Sequence, residues 1–193
     1  VLELMPEHTY VLKDLTELYI VTTQYEKADS LLLNILKKEP ENLRVLFCLG
    51  EVRLFKGDLS EAKKYFQKVI SITTVEYGPA IEYGYILFKE KKYKEAQKIF
   101  DMLIKIDESE IKKGMENHNY PYELARIYSI LNKKDQAIDA LKIAIMNGWK
   151  YYLFTIADPL LENIKDDARF KFLMNNMKID LEQMKKKIRE SSI

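Results

Sequence analysis

The sequence predicts an all-α fold: a solenoid of antiparallel helix pairs with a helical cap at its C-terminal end. Three observations carry this. One short pattern recurs at a fixed spacing, apolar residues follow helical rather than strand periodicity, and turn residues are scarce. Gly occurs 6 times and Pro 5 times in 193 residues. A barrel or sandwich of many short strands needs more of both.

The recurring pattern is Tyr25-Glu-Lys-Ala28 with Leu32 and Ile35, then Leu59-Ser-Glu-Ala62 with Phe66 and Val69, then Tyr93-Lys-Glu-Ala96 with Phe100 and Leu103. Ala28, Ala62 and Ala96 are each 34 residues apart. A fourth copy, Asp135-Gln-Ala137 with Leu141 and Ala144, follows 41 residues after Ala96, so seven residues are inserted. A second helical pattern precedes each alanine. It reads Leu12, Leu15, Thr16 and Tyr19 in the first copy, and Leu46, Leu49, Gly50 and Arg53 in the second. The third has Ala80, Tyr83, Gly84 and Leu87, and the fourth Pro121, Leu124, Ala125 and Tyr128. Such spacing marks one face of a helix. Gln24, Lys56-Gly57-Asp58, Lys91-Lys92 and Asn132-Lys133-Lys134 separate the two helices of each pair.

This code resembles the tetratricopeptide repeat. The matching features are the small residues opening the second helix, Gly50 and Gly84 in the first, Tyr19 and Tyr128 one turn on, Phe66 and Phe100, and Pro40 after a second helix. The resemblance implies a right-handed superhelix of four pairs, at about 9–42, 43–76, 77–117 and 118–147. Packing explains the code. Where helices cross closely only Ala or Gly fits, and stacked neighbours bury what one pair cannot.

From Gly148 the pattern changes, and residues 148–193 are expected to close the array. Gly148-Trp149, Asp158-Pro159-Leu160-Leu161 and Asp167-Ala168-Arg169-Phe170 resemble the end-of-group segment of bacterial tetratricopeptide arrays. Asp158 reads independently as a helix N-cap with Pro at the first position. Trp149 is expected in the core, and Asp166 with Arg169 could pair at i, i+3. Phe170, Met174, Met177, Leu181, Met184 and Ile188 form an apolar seam, expected to cover the open end of the last repeat. Asp180 with Gln183 could start a new helix and break the seam near Lys178. The alternative is that Leu181, Met184 and Ile188 project and bind another helix, giving a homodimer through the C-terminal helix.

Several classes are disfavoured. Lys and Arg number 31 against 30 Asp and Glu, a net charge of +1, so the basic surplus usual in nucleic-acid binders is missing. One cysteine gives no internal disulfide and no Cys-based zinc site. The longest charge-poor run, Ala140 to Phe154, still holds Lys142 and Lys150, so no membrane insertion is expected. Val1 to Pro6 is too short for a signal peptide and carries Glu3. The chain starts without Met inside a helical pattern, which suggests an excised fragment and leaves the compartment open, cytoplasm ahead of periplasm. No catalytic constellation, phosphate loop or metal motif stands out, and no cofactor is expected. His8 and His118 lie 110 residues apart, Cys48 reads as a small buried hydrophobe, and Asp107, Glu108 and Glu110 read as a solvated face.

In the family that this chain resembles, first helices line a concave groove. The repeat frame assigns to it Lys13 and Glu17 in the first pair, Arg44, Phe47 and Glu51 in the second, Glu82, Tyr85 and Phe88 in the third, and Tyr122 and Arg126 in the fourth. Glu17, Glu51 and Glu82 depart from the basic clamp that chaperone-binding members use for a terminal carboxylate. The mixture of acids and aromatics suits instead an extended or helical protein segment with apolar anchors and basic flanks. The expected function is a protein-interaction scaffold without catalysis. The alternatives are a regulatory or oligomerisation module of a larger bacterial enzyme or sensor, and an enzyme in its own right.

Overall fold

Tight left-handed turns punctuate the chain. The computed structural model describes residues 9–73, 79–113 and 117–191. Helices α1 (Thr9–Val21) and α2 (Tyr25–Lys38), α3 (Leu43–Phe55) and α4 (Leu59–Ile72), α5 (Ala80–Lys89) and α6 (Tyr93–Lys112), and α7 (Asn119–Ile130) and α8 (Lys134–Met146) follow in pairs. After them come α9 (Tyr152–Ala157), a 3-10 turn (Pro159–Ile164) and α10 (Ala168–Ser191). No strand occurs among the described residues.

Each pair turns on one residue at positive φ: Thr23 at 55°, Gly57 at 86°, Lys91 at 63° and Asn132 at 57°. The following amide donates back to the first helix: Gln24 to Tyr19, Asp58 to Arg53, Lys92 to Leu87 and Lys133 to Tyr128, at 2.8–2.9 Å. This is the Schellman closure, which satisfies carbonyls that the helix end would leave open. Gly148, at φ 103°, ends α8 in the same way, with the Trp149 amide on Ala144. Gly57 is the type this conformation prefers, and Asn132 is the type that adopts it most readily after glycine. Thr23 is β-branched and carries a cost of about 1–2 kcal/mol there.

The chain divides into two compact units, Val1–Ile99 and Phe100–Ile193, with the division inside α6. In the first unit α1 packs on α2 and α3, α3 on α4, and α4 on α5. Ala28, Ala62 and Ala96, like Ala137 in the second unit, are 0% exposed. Gly50 of α3 is small for a visible reason: a Cβ there would collide with the Phe66 ring of α4. Phe66 in turn is fully buried beside Ala62 and Val69, at helical spacing on one face. Asp58 accepts the Glu61 amide at 3.2 Å and caps α4.

In the second unit α7 packs on α8 and on the 3-10 turn, and α10 packs on α8 and α9. Asp158 caps the 3-10 turn, accepting the Leu160 amide at 2.9 Å, with Pro159 at its first position. Phe170, Met174 and Met177 of α10 are buried.

Four expectations change. The helix does not break near Lys178, because α10 runs continuously to Ser191. The apolar seam is fully buried only through Met177; Leu181 is half-buried, Met184 is 45% and Ile188 64% exposed. Asp166 does not pair with Arg169. Arg169 bonds Asp167 and Asp135 at 2.7–2.8 Å, and Asp166 lies 3.5 Å from Lys171. Asp107 is no solvated residue: it is 2% exposed.

Candidate partner-binding face

The first helices of the first unit, α1, α3 and α5, bring most of the predicted groove residues together. Lys13 Nζ lies 3.5 Å from Glu17 Oε1, one turn along α1. Glu51 on α3 and Glu82 on α5 act on the same ammonium. Burial opposes the Lys13 charge, but the carboxylates of Glu51, Glu17 and Glu82 outweigh it and hold its pKa above the usual lysine value. Carboxylates on α1, α3 and α5 thus all favour the charged form of one lysine. Glu51 and Glu82 are deep in this face, 4% and 5% exposed, whereas Lys13 and Glu17 are partly exposed.

Aromatic residues flank the acids. Phe47 is half-buried, its ring centroid 6.0 Å from Phe66. Phe88 is half-buried in an edge contact with Tyr93 at 5.0 Å. Tyr85 is buried beneath Lys89, whose Nζ sits 5.3 Å from the ring centroid. Arg44 is partly exposed one turn before Cys48. Cys48 itself is buried, as its place on an apolar helix implied. Burial and the Glu51 carboxylate push its thiol up to about 12, so it is not a thiolate at neutral pH.

Tyr122 and Arg126, the groove positions of the fourth pair, have a different setting. They are buried within the second unit, where the tail covers that side of α7. Tyr122 stacks on Trp149 with ring centroids 3.7 Å apart, and its hydroxyl donates to Asp158 Oδ2 at 2.9 Å. Arg126 Nε lies 3.0 Å from the same carboxylate oxygen. Trp149 is held from the other side, its indole N–H donating to Thr155 Oγ1 at 2.8 Å. Burial and the neighbouring Asp158 carboxylate raise the Tyr122 pKa well above its usual value. These groups form a buried polar joint between α7 and the tail. The expectation that Trp149 is a core residue fits this, and the sequence signal for the joint was the Asp158-Pro159 cap.

Among the described residues, the remaining titratable candidates lie in separate settings. His118 packs its ring 5.6 Å from Trp149. Burial and the charge of Glu123 push Asp107 up to about 8. Glu108 accepts from the Tyr128 hydroxyl at 3.3 Å and Glu110 pairs with Lys113 at 2.6 Å. His8 lies outside the described residues. Among the described residues no group of three or more His, Cys, Asp or Glu is placed to hold a metal ion, and no helix is long and apolar enough to cross a membrane.

No curated protein sequence matches this chain. Among solved structures it is similar to one described as "MamA RS-1 ArsTM double mutant", at 17% identity and a TM-score of 0.43, over 93% of this chain and 97% of that one. The tetratricopeptide repeat family matches residues 43–74, the segment of α3, its glycine turn and α4. Residues 43–74 thus form a tetratricopeptide repeat within an all-α chain of helix pairs.

Proposed function

We propose that this chain is a protein-interaction module that binds a protein segment on the α1/α3/α5 face and acts by binding rather than by chemistry. The observation that carries the reading is the grouping of partly exposed charged and aromatic residues on the first helices of one unit: Lys13 and Glu17 on α1, Arg44 and Phe47 on α3, and Phe88 on α5. The tetratricopeptide repeat at 43–74 supports protein binding as the class of function. Glu17, the partly exposed acid of this face, favours basic flanks on the segment, and the aromatic edges favour apolar anchors on it. An amphipathic helix with basic flanks meets both demands.

The test is a panel of labelled basic amphipathic peptides and charge-reversed controls, titrated by fluorescence anisotropy against the whole chain and Glu17→Lys. Glu17 is chosen because reversing Glu51 or Glu82 would place an ammonium in a buried site. Binding by the basic peptides only, weakened about tenfold or more by Glu17→Lys and by added salt, supports the reading. Equal binding of the charge-reversed controls, or affinity unchanged in Glu17→Lys, contradicts it.

A further inference from the structure

We propose that α1 has a second docking surface, on the side away from Lys13 and Glu17, and that it receives the trailing helix of a helix pair belonging to a different protein. Val11, Leu15 and Leu18 fall at i, i+4 and i+7, within about 60° on α1. Val11 is 38% and Leu18 53% exposed, and Leu15 is half-buried. The residues 34 positions on are Val45, Leu49 and Val52 of α3. All three are 0% exposed. The pair before them covers them: they share a core cluster with Leu12 and Ile20 of α1 and with Ala28 and Leu32 of α2, and Leu31 and Ile35 of α2 pack against it. In the third pair the counterpart of Leu18 is Ile86, again buried at 1% exposed. The first pair thus carries the same receiving row as its neighbours, and there the row stays largely exposed.

What covers α3 defines what fits α1. α2 meets α3 with an alanine, Ala28, and apolar residues three, four and seven positions on, Leu31, Leu32 and Ile35. It runs antiparallel to α3, since Asp29 near its start accepts from Arg53 near the end of α3 at 2.7 Å. Laid on α1 in the same way, such a helix brings the flank that holds Lys38 in α2 to the side of Asp14. Asp14 is exposed and is the charged residue of α1 nearest the row; Lys13 and Glu17 lie about 130–170° round the helix from the centre of the row. The partner is therefore an amphipathic helix with an uncharged face of alanine and leucine-type residues and a basic residue on one flank. A second copy of this chain does not offer that face. Phe66 of α4, Phe100 of α6 and Leu141 of α8, the counterparts of Leu32, are each 0% exposed like Leu32 itself. The row of α10 at Leu181, Met184 and Ile188 has Lys185 where α2 has Leu32. Stacking on α1 would continue the array across a boundary between proteins, by the same nearest-neighbour packing that joins pairs within the chain. The inference does not rest on the α1/α3/α5 face.

The probe is a labelled peptide with the sequence of residues 25–38, stapled on its outward side because a 14-residue helix alone is marginal in water. It is titrated by fluorescence anisotropy against the whole chain and against Leu18→Lys, Asp14→Lys and Glu17→Lys. Leu18 is exposed, so its substitution spares the core, and circular dichroism checks that each variant keeps its helix content. The inference expects saturable binding to the parent. It expects a loss of about tenfold or more in Leu18→Lys, and the same loss when the peptide carries Leu32→Lys. Asp14→Lys is expected to weaken binding about threefold, and Glu17→Lys to leave it unchanged. No binding to the parent, or binding that Leu18→Lys leaves intact, overturns the inference. Binding lost in Glu17→Lys and kept in Leu18→Lys puts the peptide on the α1/α3/α5 face and also overturns it. An unchanged affinity in Asp14→Lys overturns the basic flank assigned to the partner. Sedimentation velocity on the parent tests the other occupant: a dimer that Leu18→Lys returns to monomer makes a second copy the occupant and overturns the inference.

Discussion

At position 50 the absence of a side chain lets the Phe66 ring lie against the backbone of α3. Gly50→Ala would raise helix propensity by about 1 kcal/mol if the site were open. Here the added methyl must displace a fully buried aromatic, so a net loss of about 1–3 kcal/mol is expected, read as a lower urea midpoint. Gly50 was legible because it sits in a code repeated along the chain. Asp107 was not, although its position held the signal: it continues the buried series Ala96, Phe100, Leu103 at spacings of 4, 3 and 4. The neighbouring acids Glu108 and Glu110 give the segment the look of a solvated face. Its buried carboxyl has a pH consequence. The unfolded carboxyl titrates near about pH 4. Burial and Glu123 push the folded one up to about 8. Between those values the folded chain holds a proton that unfolding releases, so this group's contribution to stability falls as pH rises through the window. Asp107→Asn is expected to flatten that slope, with no gain at pH 5 and a higher urea midpoint than the parent at pH 9. Equal gains at both pH values would show that the carboxyl does not titrate in this way.

At the scale of elements, the helix pairs were legible because two independent signals agreed, the 34-residue spacing of alanines and the apolar stripe each one opens. The turns were harder to read. Thr23 and Lys91 occupy the same left-handed position as Gly57 and Asn132, yet residue type marks only the glycine and, more weakly, the asparagine. α10 shows the opposite problem, since a seam of constant spacing from Phe170 to Ile188 does two different things. Its spacing says that the residues share a face and is silent on where the core ends. Because full burial stops at Met177 and only half-buried Leu181 follows it, deleting residues 179–193 is expected to lower the melting temperature by no more than about 4 °C. Deleting 170–193 removes Phe170, Met174 and Met177 and is expected to lower it by about 10 °C or more. Calorimetry on the two truncations checks this, and a large drop from the shorter deletion would place the distal helix in the core after all.

For the whole molecule, one repeat frame assigned a binding role to the first helix of every pair, and the two units use that face differently. In the first unit it carries Lys13, Glu17, Arg44, Phe47, Glu51, Glu82, Tyr85 and Phe88, eight of the ten residues the frame selected. In the second unit the 3-10 turn and Trp149 lie on α7, and Tyr122 and Arg126 are committed to Asp158. The frame could give position on a helix. It could not give which long-range segment covers that position, because Arg126 and Asp158 are 32 residues apart with no periodicity linking them. The account's central claim is that the exposed face of α1, α3 and α5 receives a basic segment. Hydrogen exchange on the whole chain, with and without a saturating basic amphipathic peptide, tests it most directly. The account predicts added protection in α1, α3 and α5 and none in α8 and α9. Protection confined to α8 and α9, where Ile143, Met146 and Leu153 are exposed, would contradict it.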